Sequence, residues 1–297
     1  MVSSYHVLQG NYSNITDTSF IPTNLLPPTY ANVTGGQAVE AVASGSNVTF
    51  FSGLLQNSSV INASIPFDQG TIHIIDRFLT IPQNISTTGV ALNLTSAVGA
   101  ITALNLTETL DYAQDVTVFL PNNAAFQRIG GNLANLSTDD LTNILSYHVV
   151  QGTVLYSTDI TNGSSVGTLV DGGNITVTLE GSDVYVNNAR VVRPNVLVAN
   201  GVIHVIDRVL NPANATAAVV TSATEEAFPG ATSASDEPFT SGVPTPTSSI
   251  ATESVASVEA SASGASSSSS GGAWRPLETG AVGMAALFGG AAAVMNM

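Results

Sequence analysis

The chain has 297 residues, of which 21 are acidic and six are arginines; it contains no lysine and no cysteine, and its formal net charge is −15. A surface this negative repels phosphate backbones and anionic headgroups, which argues against nucleic acids as partners. Without cysteine, neither disulfides nor thiolate chemistry is available. Hydrophobic residues make up 44% of the chain, and its length predicts about two domains with cores of their own.

Two short phrases occur twice, in the same order. Residues 5–10, YHVLQG, return 142 positions later as residues 147–152, YHVVQG. Residues 70–77, GTIHIIDR, return 131 positions later as residues 201–208, GVIHVIDR. Repeats this far apart indicate a duplicated domain, because solenoid units run about 20–50 residues. The sequence therefore predicts a first copy over residues 1–82 and a second copy over residues 83–212.

The first copy is shorter at its start than the second. The second copy has 64 residues before Tyr147, whereas four residues precede Tyr5. We therefore expect the first copy to be truncated, without the opening helices and first strand. Residues 1–4, MVSS, also lack the basic start and apolar stretch of a leader peptide. These features favour a gene model that begins too late or a fragment of a longer protein.

The second copy opens with helical patterns around one short strand. Apolar residues at helical spacing predict a helix over Leu94–Leu104, and Val116–Leu120 reads as a strand that Pro121 ends. A helical turn is expected over Asn122–Ile129, stopped by the two following glycines. Residues 137–140, STDD, resemble a capping box that opens a helix through Leu145.

The pattern then turns to strands. Alternating apolar residues predict a strand over Ile175–Leu179, a turn over residues 180–183 and a returning strand over Val184–Val186. Val202–Val209 is almost continuously apolar, which indicates a central strand buried on both faces. Helices followed by strands make this copy an α+β unit.

Four pieces of the second copy resemble the fasciclin domain, a module of cell-surface adhesion proteins. They are TVFLPNNAAF (117–126), ILSYH (144–148), the strand pair Val184–Arg193 and NGVIHVIDRVLNP (200–212). The first copy matches through its Tyr-His phrase and through GTIHIIDRFLTIP (70–82). The resemblance implies a wedge-shaped β-sandwich flanked by N-terminal helices, present in two copies.

The resemblance also implies where adhesion would be located. The family's adhesion surface is attributed to the Tyr-His motif and to an Asp-Ile pair before the closing signature. Tyr147 and His148 match the motif, while the pair falls at Asn195-Val196, where Asn replaces Asp. That replacement removes the acid that an integrin-type receptor would use. In the first copy Tyr5 and His6 match the motif, and no equivalent of the pair is evident.

The four histidines are the obvious candidates for chemistry. His148 and His204 could be metal ligands or a catalytic base, and His6 and His73 hold the same places in the first copy. Zinc, however, needs three or four ligands, and no acid cluster accompanies these residues. Residues 163–167, GSSVG, fit the nucleophile-elbow pattern but lack the strand before and the helix after it. We therefore expect structural histidines, no cofactor, no metal site and no enzyme activity.

Asn-x-Ser/Thr sequons are frequent, and each is an acceptor for N-glycosylation in an exported protein. Heavy glycosylation would explain how a chain with 9% charged residues remains soluble. The alternative is that Asn and Thr only mark turns and strands. The sequons begin at Asn11, Asn14, Asn32, Asn47, Asn57, Asn62, Asn84, Asn93, Asn105, Asn135, Asn162, Asn174 and Asn214.

The remaining residues form a tail of different character. Residues 213–272 are mainly Ser, Thr, Ala, Pro and Glu, which predicts a disordered, O-glycosylated stalk. Residues 273–297 contain a spacer and the apolar stretch Ala281–Met297, preceded by the small residues 270–272, SGG. This order predicts a glycosylphosphatidylinositol attachment signal, with Ser270 as the attachment site. A loose tail and a short membrane span are the alternatives.

Together these features predict a secreted, non-catalytic protein of adhesion or cell-wall organisation, resembling fungal cell-surface members of the family. Its expected location is the outer face of the cell membrane or the cell wall. The expected partners are a cell-surface or matrix protein or glycan, and the membrane through the lipid anchor. A lipid- or polysaccharide-binding module is one alternative, favoured by an exposed apolar groove at Tyr156 or Tyr185. A passive wall mannoprotein is the other.

Overall fold

The computed structural model describes residues 2–133, 135–215 and 228–246. Residues 1–82, called here the first half, contribute one short helix and a five-stranded sheet; residues 83–212, the second half, contribute six helices and a seven-stranded sheet. This mixture agrees with the predicted α+β class. The helices are α1 (Val2–Tyr5), α2 (Ile85–Ala91), α3 (Thr95–Ala103), α4 (Thr107–Tyr112), α5 (Asn123–Arg128), α6 (Gly130–Leu133) and α7 (Thr138–Tyr147).

The strands of the two sheets follow different orders. The first sheet is a meander, β1-β2-β3-β4-β5, and the second runs β7-β6-β12-β11-β10-β9-β8. The first-half strands are β1 (Ser19–Pro22), β2 (Ala38–Ser44), β3 (Asn47–Phe51), β4 (Asn57–Phe67) and β5 (Gly70–Ile75). The second-half strands are β6 (Val116–Pro121), β7 (Val149–Gln151), β8 (Ser165–Gly167), β9 (Asn174–Glu180), β10 (Asp183–Val186), β11 (Ala189–Val198) and β12 (Gly201–Ile206).

The closing strand β12 is the centre of the second half. It pairs in parallel with β6 on one side and antiparallel with β11 on the other, and all six of its residues are buried. A strand with two neighbours and two covered faces has no place for charged side chains, which accounts for its continuous apolar sequence. The prediction of a central strand is confirmed.

Local sequence signals start the helices. The side chains of Asn84 and Asn122 cap α2 and α5, and Ser137 and Asp140 form a reciprocal capping box on α7. These side chains satisfy N–H groups that the first helical turn leaves without partners. Helix α5 ends at Arg128, before the two glycines, as expected, but these glycines then open the short helix α6, which the sequence did not predict.

Two buried clusters lie in the second half. The larger packs the helices against one face of the sheet, and includes Phe126 of α5, Leu145 of α7 and Ile203 of β12. The smaller packs Phe119, Tyr147 and Ile206 against strands β9 and β10. The sheet is therefore covered on both faces. The first half has one cluster, around Tyr5, Ile21 and Phe50.

Part of the predicted stalk is packed. Residues 228–246, called here the strap, lie against the helices. Phe228 is buried in the larger cluster of the second half, which lies between the helices and the sheet. Phe239 contacts the ring of Phe126 edge-on, with ring centroids 6.2 Å apart. The Ala234 N–H donates to the Gln127 carbonyl at 2.9 Å. The prediction of disorder from residue 213 was thus wrong for the strap, because two phenylalanines give it apolar surface to bury.

The lipid-anchor signal falls outside the described residues. Ser270, the spacer and the apolar stretch Ala281–Met297 belong to the undescribed part of the chain, residues 247–297. Within residues 2–133, 135–215 and 228–246, no helix combines the length and apolar character needed to cross a membrane.

Candidate functional site

The Tyr-His motif of the second half holds three segments together. His148 follows helix α7; its Nδ1 donates to the carbonyl of Ile144 at 2.7 Å, and its Nε2 accepts the N–H of Leu210 at 2.8 Å. The ring therefore ties the last turn of α7 to the chain that follows β12. Tyr147 is fully buried, and its hydroxyl donates to the carbonyl of Asn174 at the start of β9 at 2.5 Å.

His204 is a second buried bridge, in the opposite tautomer. Its Nε2 donates to the carbonyl of Leu155 at 2.8 Å, and its Nδ1 accepts the N–H of Asn195 at 3.4 Å. The ring stacks on Phe119 of the neighbouring strand β6, with centroids 5.5 Å apart. The histidine of the closing strand thus fixes the loop before β8 and the middle of β11.

These rings are unsuited to proton transfer or metal binding. Burial lowers the pKa of His148 and of His204 from the ordinary value of 6.5 to about 4, and one backbone hydrogen bond each offsets only part of that effect. Both nitrogens of each ring already have backbone partners. In the part of the chain that the structure describes, no group of three His, Asp or Glu side chains is placed to hold a metal ion.

The first half repeats these contacts. His6 Nδ1 donates to the Val2 carbonyl at 2.7 Å and its Nε2 accepts the N–H of Leu79 at 2.9 Å, as His148 does with Ile144 and Leu210. The partners differ by the same 142 and 131 positions as the repeated phrases.

The remaining first-half motif residues follow the same scheme. His73 Nε2 donates to the Tyr12 carbonyl at 2.8 Å, and its Nδ1 accepts the N–H of Ser64 at 3.4 Å, the distances seen at His204. Tyr5 is fully buried and donates to the Ala38 carbonyl at 3.0 Å. Each half therefore has one tyrosine and two histidines as backbone braces.

The second adhesion position lies inside the molecule. Asn195 is 3% exposed and Val196 is fully buried, in strand β11. The Asn195 amide nitrogen donates to Glu40 of the first half at 3.0 Å and to Ser157 Oγ at 2.7 Å. Its amide oxygen accepts the Ser157 N–H at 3.0 Å. The structure therefore places Asn195 at the interface between the two halves and Val196 in the larger buried cluster of the second half, so a receptor has no access to either residue.

Glu40 was not anticipated from the sequence. It is 5% exposed in strand β2, and burial raises the pKa of its carboxyl from 4.5 to about 7, although the hydrogen bond from Asn195 acts in the opposite direction. A lone acidic residue in the stretch AVEAVAS carries no local signal that it will be buried, because its burial depends on a strand 155 positions away.

A second contact joins the halves through aromatic rings. Phe20 of β1 stacks on Tyr156, with centroids 4.1 Å apart and planes 5° from parallel. Tyr185 is 5% exposed. Tyr185 is therefore buried and Tyr156 is half-buried against Phe20, which weakens the case for a ligand site at either tyrosine.

The first half does contain an equivalent of the Asn195-Val196 pair. Ser64 has a positive φ of 59°, as Asn195 has one of 60°, and both donate their N–H to a histidine. Ile65 follows in the place of Val196, after matching register shifts in β4 and β11. The offset of 131 between the closing phrases would have located this position from the sequence. A search for the same residue type misses it, because Ser stands in the first half where the second half has Asn.

The sequons lie at the surface. Ten of the thirteen asparagines are exposed, and Asn32, Asn84 and Asn214 are half-buried. At Asn32 the amide nitrogen, which would carry the glycan, donates to the Tyr112 carbonyl of the other half at 2.9 Å. Glycan attachment at Asn32 would replace one of the two N–H groups of this nitrogen and crowd its contact with the Tyr112 carbonyl, so we expect this sequon to be the poorest acceptor. Occupancy of the thirteen sites stays a prediction.

Comparisons with known proteins agree with the resemblance of the second half to the fasciclin domain. The family model of the fasciclin domain matches residues 92–212. A fasciclin-like arabinogalactan protein of Arthroderma benhamiae is 42% identical over 254 residues, 84% of this chain and 60% of that protein. Another, CTB11 of Cercospora beticola, is 31% identical over 66% of this chain and 54% of its own length. The chain thus spans a little over half the length of these two relatives.

More distant similarity extends beyond fungi. The transforming growth factor-beta-induced protein ig-h3 of Sus scrofa is 33% identical over 48% of this chain and 21% of its own length. The solved FAS1 domain pair of the insect cell adhesion molecule fasciclin I aligns with a TM-score of 0.41 and 19% identity, over 71% of this chain and 79% of that chain. With the fasciclin domain matched over the second half and fungal relatives aligned across both halves, the chain belongs to the fasciclin-domain family.

Proposed function

We propose that this protein is a glycosylated cell-surface protein of adhesion or cell-wall organisation, built from two fasciclin-like units and held at the membrane by a lipid anchor. Members of its family are generally adhesion or structural proteins without enzyme activity, and two of its fungal relatives are named as fasciclin-like arabinogalactan proteins. The two-unit organisation is supported by the paired histidine braces, whose contacts recur at matched distances in both halves.

The observation that carries the proposal is the occupation of both ring nitrogens in His148 and in His204 by backbone groups. A side chain with no open lone pair or proton cannot act as a base, a nucleophile activator or a metal ligand. The residues that mark the family therefore stabilise the fold. Binding is left to the outer surface, where the sequons and their glycans would lie.

The proposed role in adhesion or wall organisation can be tested by displaying two forms of the protein on a cell surface. Cells that display the whole chain are compared with cells that display residues 216–297 alone. We expect attachment to matrix or to other cells with the whole chain and loss of attachment with the tail alone. Equal attachment and equal wall integrity in both would contradict the proposal and favour a passive wall mannoprotein.

Substitution of Tyr147 tests whether the motif is structural. Tyr147→Ala removes a fully buried ring and a hydrogen bond, so the free energy of unfolding should fall by about 3–5 kcal/mol. Tyr112→Ala is the matched control, because the Tyr112 side chain is 77% exposed and its loss should change stability by less than about 0.5 kcal/mol. A Tyr147→Ala variant with unchanged thermal unfolding but no attachment would show that the motif is itself the adhesive site.

A further inference from the structure

Three glycines form the helical surface on which the strap lies. Gly99 belongs to α3, and Gly130 and Gly131 open α6. A Cβ at each of these positions would lie closer than 3.0 Å to a strap atom, a separation that real Cβ atoms essentially never show. This surface of the second half is therefore shaped so that another segment of chain can pass over it at close range.

Hydrogen bonds fix the register of the strap on this surface. The Thr232 carbonyl accepts the Gly131 N–H at 2.9 Å, and the Glu237 carboxylate accepts an N–H of the Asn123 amide at 2.8 Å. As the strap advances from residue 232 to residue 237, its partners recede from α6 to the start of α5. The strap therefore runs antiparallel to these helices, with its contacts in consecutive order.

The strap is held less firmly than the strands beneath it. Phe228 and Phe239 are its two aromatic side chains, and Phe239 is only half-buried. Most of the residues between them are exposed, whereas every residue of β12 is buried. Segments with few buried apolar contacts and exposed hydrogen bonds open at a lower free energy than a core does. The strap can therefore leave the helices while the second half stays folded.

The position of the strap determines where a pull on the tail acts. Residues 247–297 follow the strap, so tension in them reaches its C-terminal end first, where Phe239 and Val243 lie against Gly99. Contacts in consecutive order then carry the load one after another. Once the strap is released, the load acts at Ala215 instead of Val243. The 28 residues that follow Ala215, up to Val243, extend by at most about 100 Å.

We propose that the strap is a tension-released clasp. At rest it holds the second half close to the start of the tail, and a pull on the tail peels it from Phe239 towards Phe228 before the second half unfolds. The clasp rests on the proposed function only for the source of the tension, which is a tail held at a surface while the folded units bind a neighbour.

Force measurements on single molecules of the purified full chain test the clasp. Because the chain has no cysteine, Leu169→Cys, at an exposed position of the second half, and Ser248→Cys, beyond the strap, provide unique attachment points for the two handles. We expect a reversible step of at most about 100 Å at low force. Unfolding of the second half should follow as a separate event at higher force.

Two substitutions and a control assign this step to the strap. Phe239→Ser removes the ring contact with Phe126 and should raise the rate of release at a given force at least about tenfold. Gly99→Ala pushes the strap away from the helix side and should act in the same direction. Ser233→Ala, at an exposed strap position, is the matched control and should leave the rate unchanged.

Each result decides for or against the clasp. A low-force step that both substitutions accelerate supports it. Loss of the step in a variant whose second half unfolds at the wild-type force also supports it, since the strap is then detached from the start. Release of the strap and unfolding of the second half in one event overturns it, as does a step that either substitution leaves unchanged. Attachment of displayed cells is measured separately, so failure of the clasp and failure of the proposed function are distinguishable.

Discussion

Asn195 has a left-handed backbone conformation and makes polar contacts at the interface between the two halves. Its φ of 60° lies in the left-handed region, which Asn adopts more readily than most residues. Its side chain then reaches Glu40 and Ser157 across the two halves. The sequence showed that Asn stands where the family's adhesive Asp is expected, and the structure supplies the physical reason: an amide can donate to the buried carboxyl of Glu40, and a carboxylate cannot.

Asn195→Asp tests this explanation. The substitution places two carboxyl groups in contact inside the molecule, so one must stay protonated or the interface must open. We expect the free energy of unfolding at neutral pH to fall by about 2–4 kcal/mol. Asn174→Asp, at an exposed position, should have little effect. Unchanged thermal unfolding of Asn195→Asp, measured by circular dichroism, would refute the interior placement of this residue.

Glu40 makes stability depend on pH in a defined direction. The folded pKa is about 7 against an ordinary 4.5, so between these values the native state holds a proton that the unfolded state has released. Stability therefore falls as the pH rises through this window, by about 3 kcal/mol in total at 1.36 kcal/mol per pKa unit.

Glu40→Gln isolates this effect from the histidines, which titrate in both proteins. Gln keeps the acceptor for Asn195 and cannot ionise, so the variant should match the wild type at pH 4 and exceed it by about 3 kcal/mol at pH 8. Urea unfolding at the two pH values gives the comparison. Equal stability at pH 8 would mean that Glu40 ionises freely in the folded protein.

At the scale of elements, the helices and strands that depend on local sequence signals were predicted, and those that depend on distant contacts were missed. Capping residues and apolar periodicity placed α3, α5, α7 and β12 within a few residues, because these signals act over one helical turn or one strand. Helix α6 and the strap were missed. Both depend on contacts between segments about 100 positions apart, such as the hydrogen bond from the Thr232 N–H to Asn132, and no short sequence pattern reports those.

Gly99 tests the strap. A Cβ at this position would lie 1.7 Å from the Phe239 carbonyl oxygen, so Gly99→Ala should detach the strap from α3. In a chain that ends at residue 215 the same substitution should instead stabilise the protein by up to about 1 kcal/mol, because Ala favours the helix. Limited proteolysis of residues 228–246 and thermal unfolding of both forms measure the two effects. A full chain stabilised by Gly99→Ala, with an uncleaved strap, would mean that the strap does not pack there.

At the scale of the whole molecule, the sequence predicted the repeat of the two phrases but did not predict the interface between the two halves. The offsets of 142 and 131 positions predicted matching segments in both halves, and the paired histidine contacts follow them. The interface depends on single residues such as Gln37, whose buried amide donates to the Val198 carbonyl at 2.7 Å. Such contacts lie between units that the repeat describes separately, so comparing the copies does not predict them.

Each of the four histidines hydrogen-bonds to backbone groups of segments that are distant in sequence, so each matters for the residue, the element and the whole molecule. All four act as structural braces, and the burial of His148 and His204 in this role determines their charge state. Because burial lowers both pKa values to about 4, the two rings are predominantly neutral above about pH 5.

A titration of the histidine rings by NMR of the ¹⁵N-labelled protein tests this claim most directly. Between pH 8 and pH 5 we expect His148 to remain neutral with its proton on Nδ1, and His204 to remain neutral with its proton on Nε2. Titration of either ring near pH 6.5 in the folded protein, or the opposite tautomer, would contradict the account.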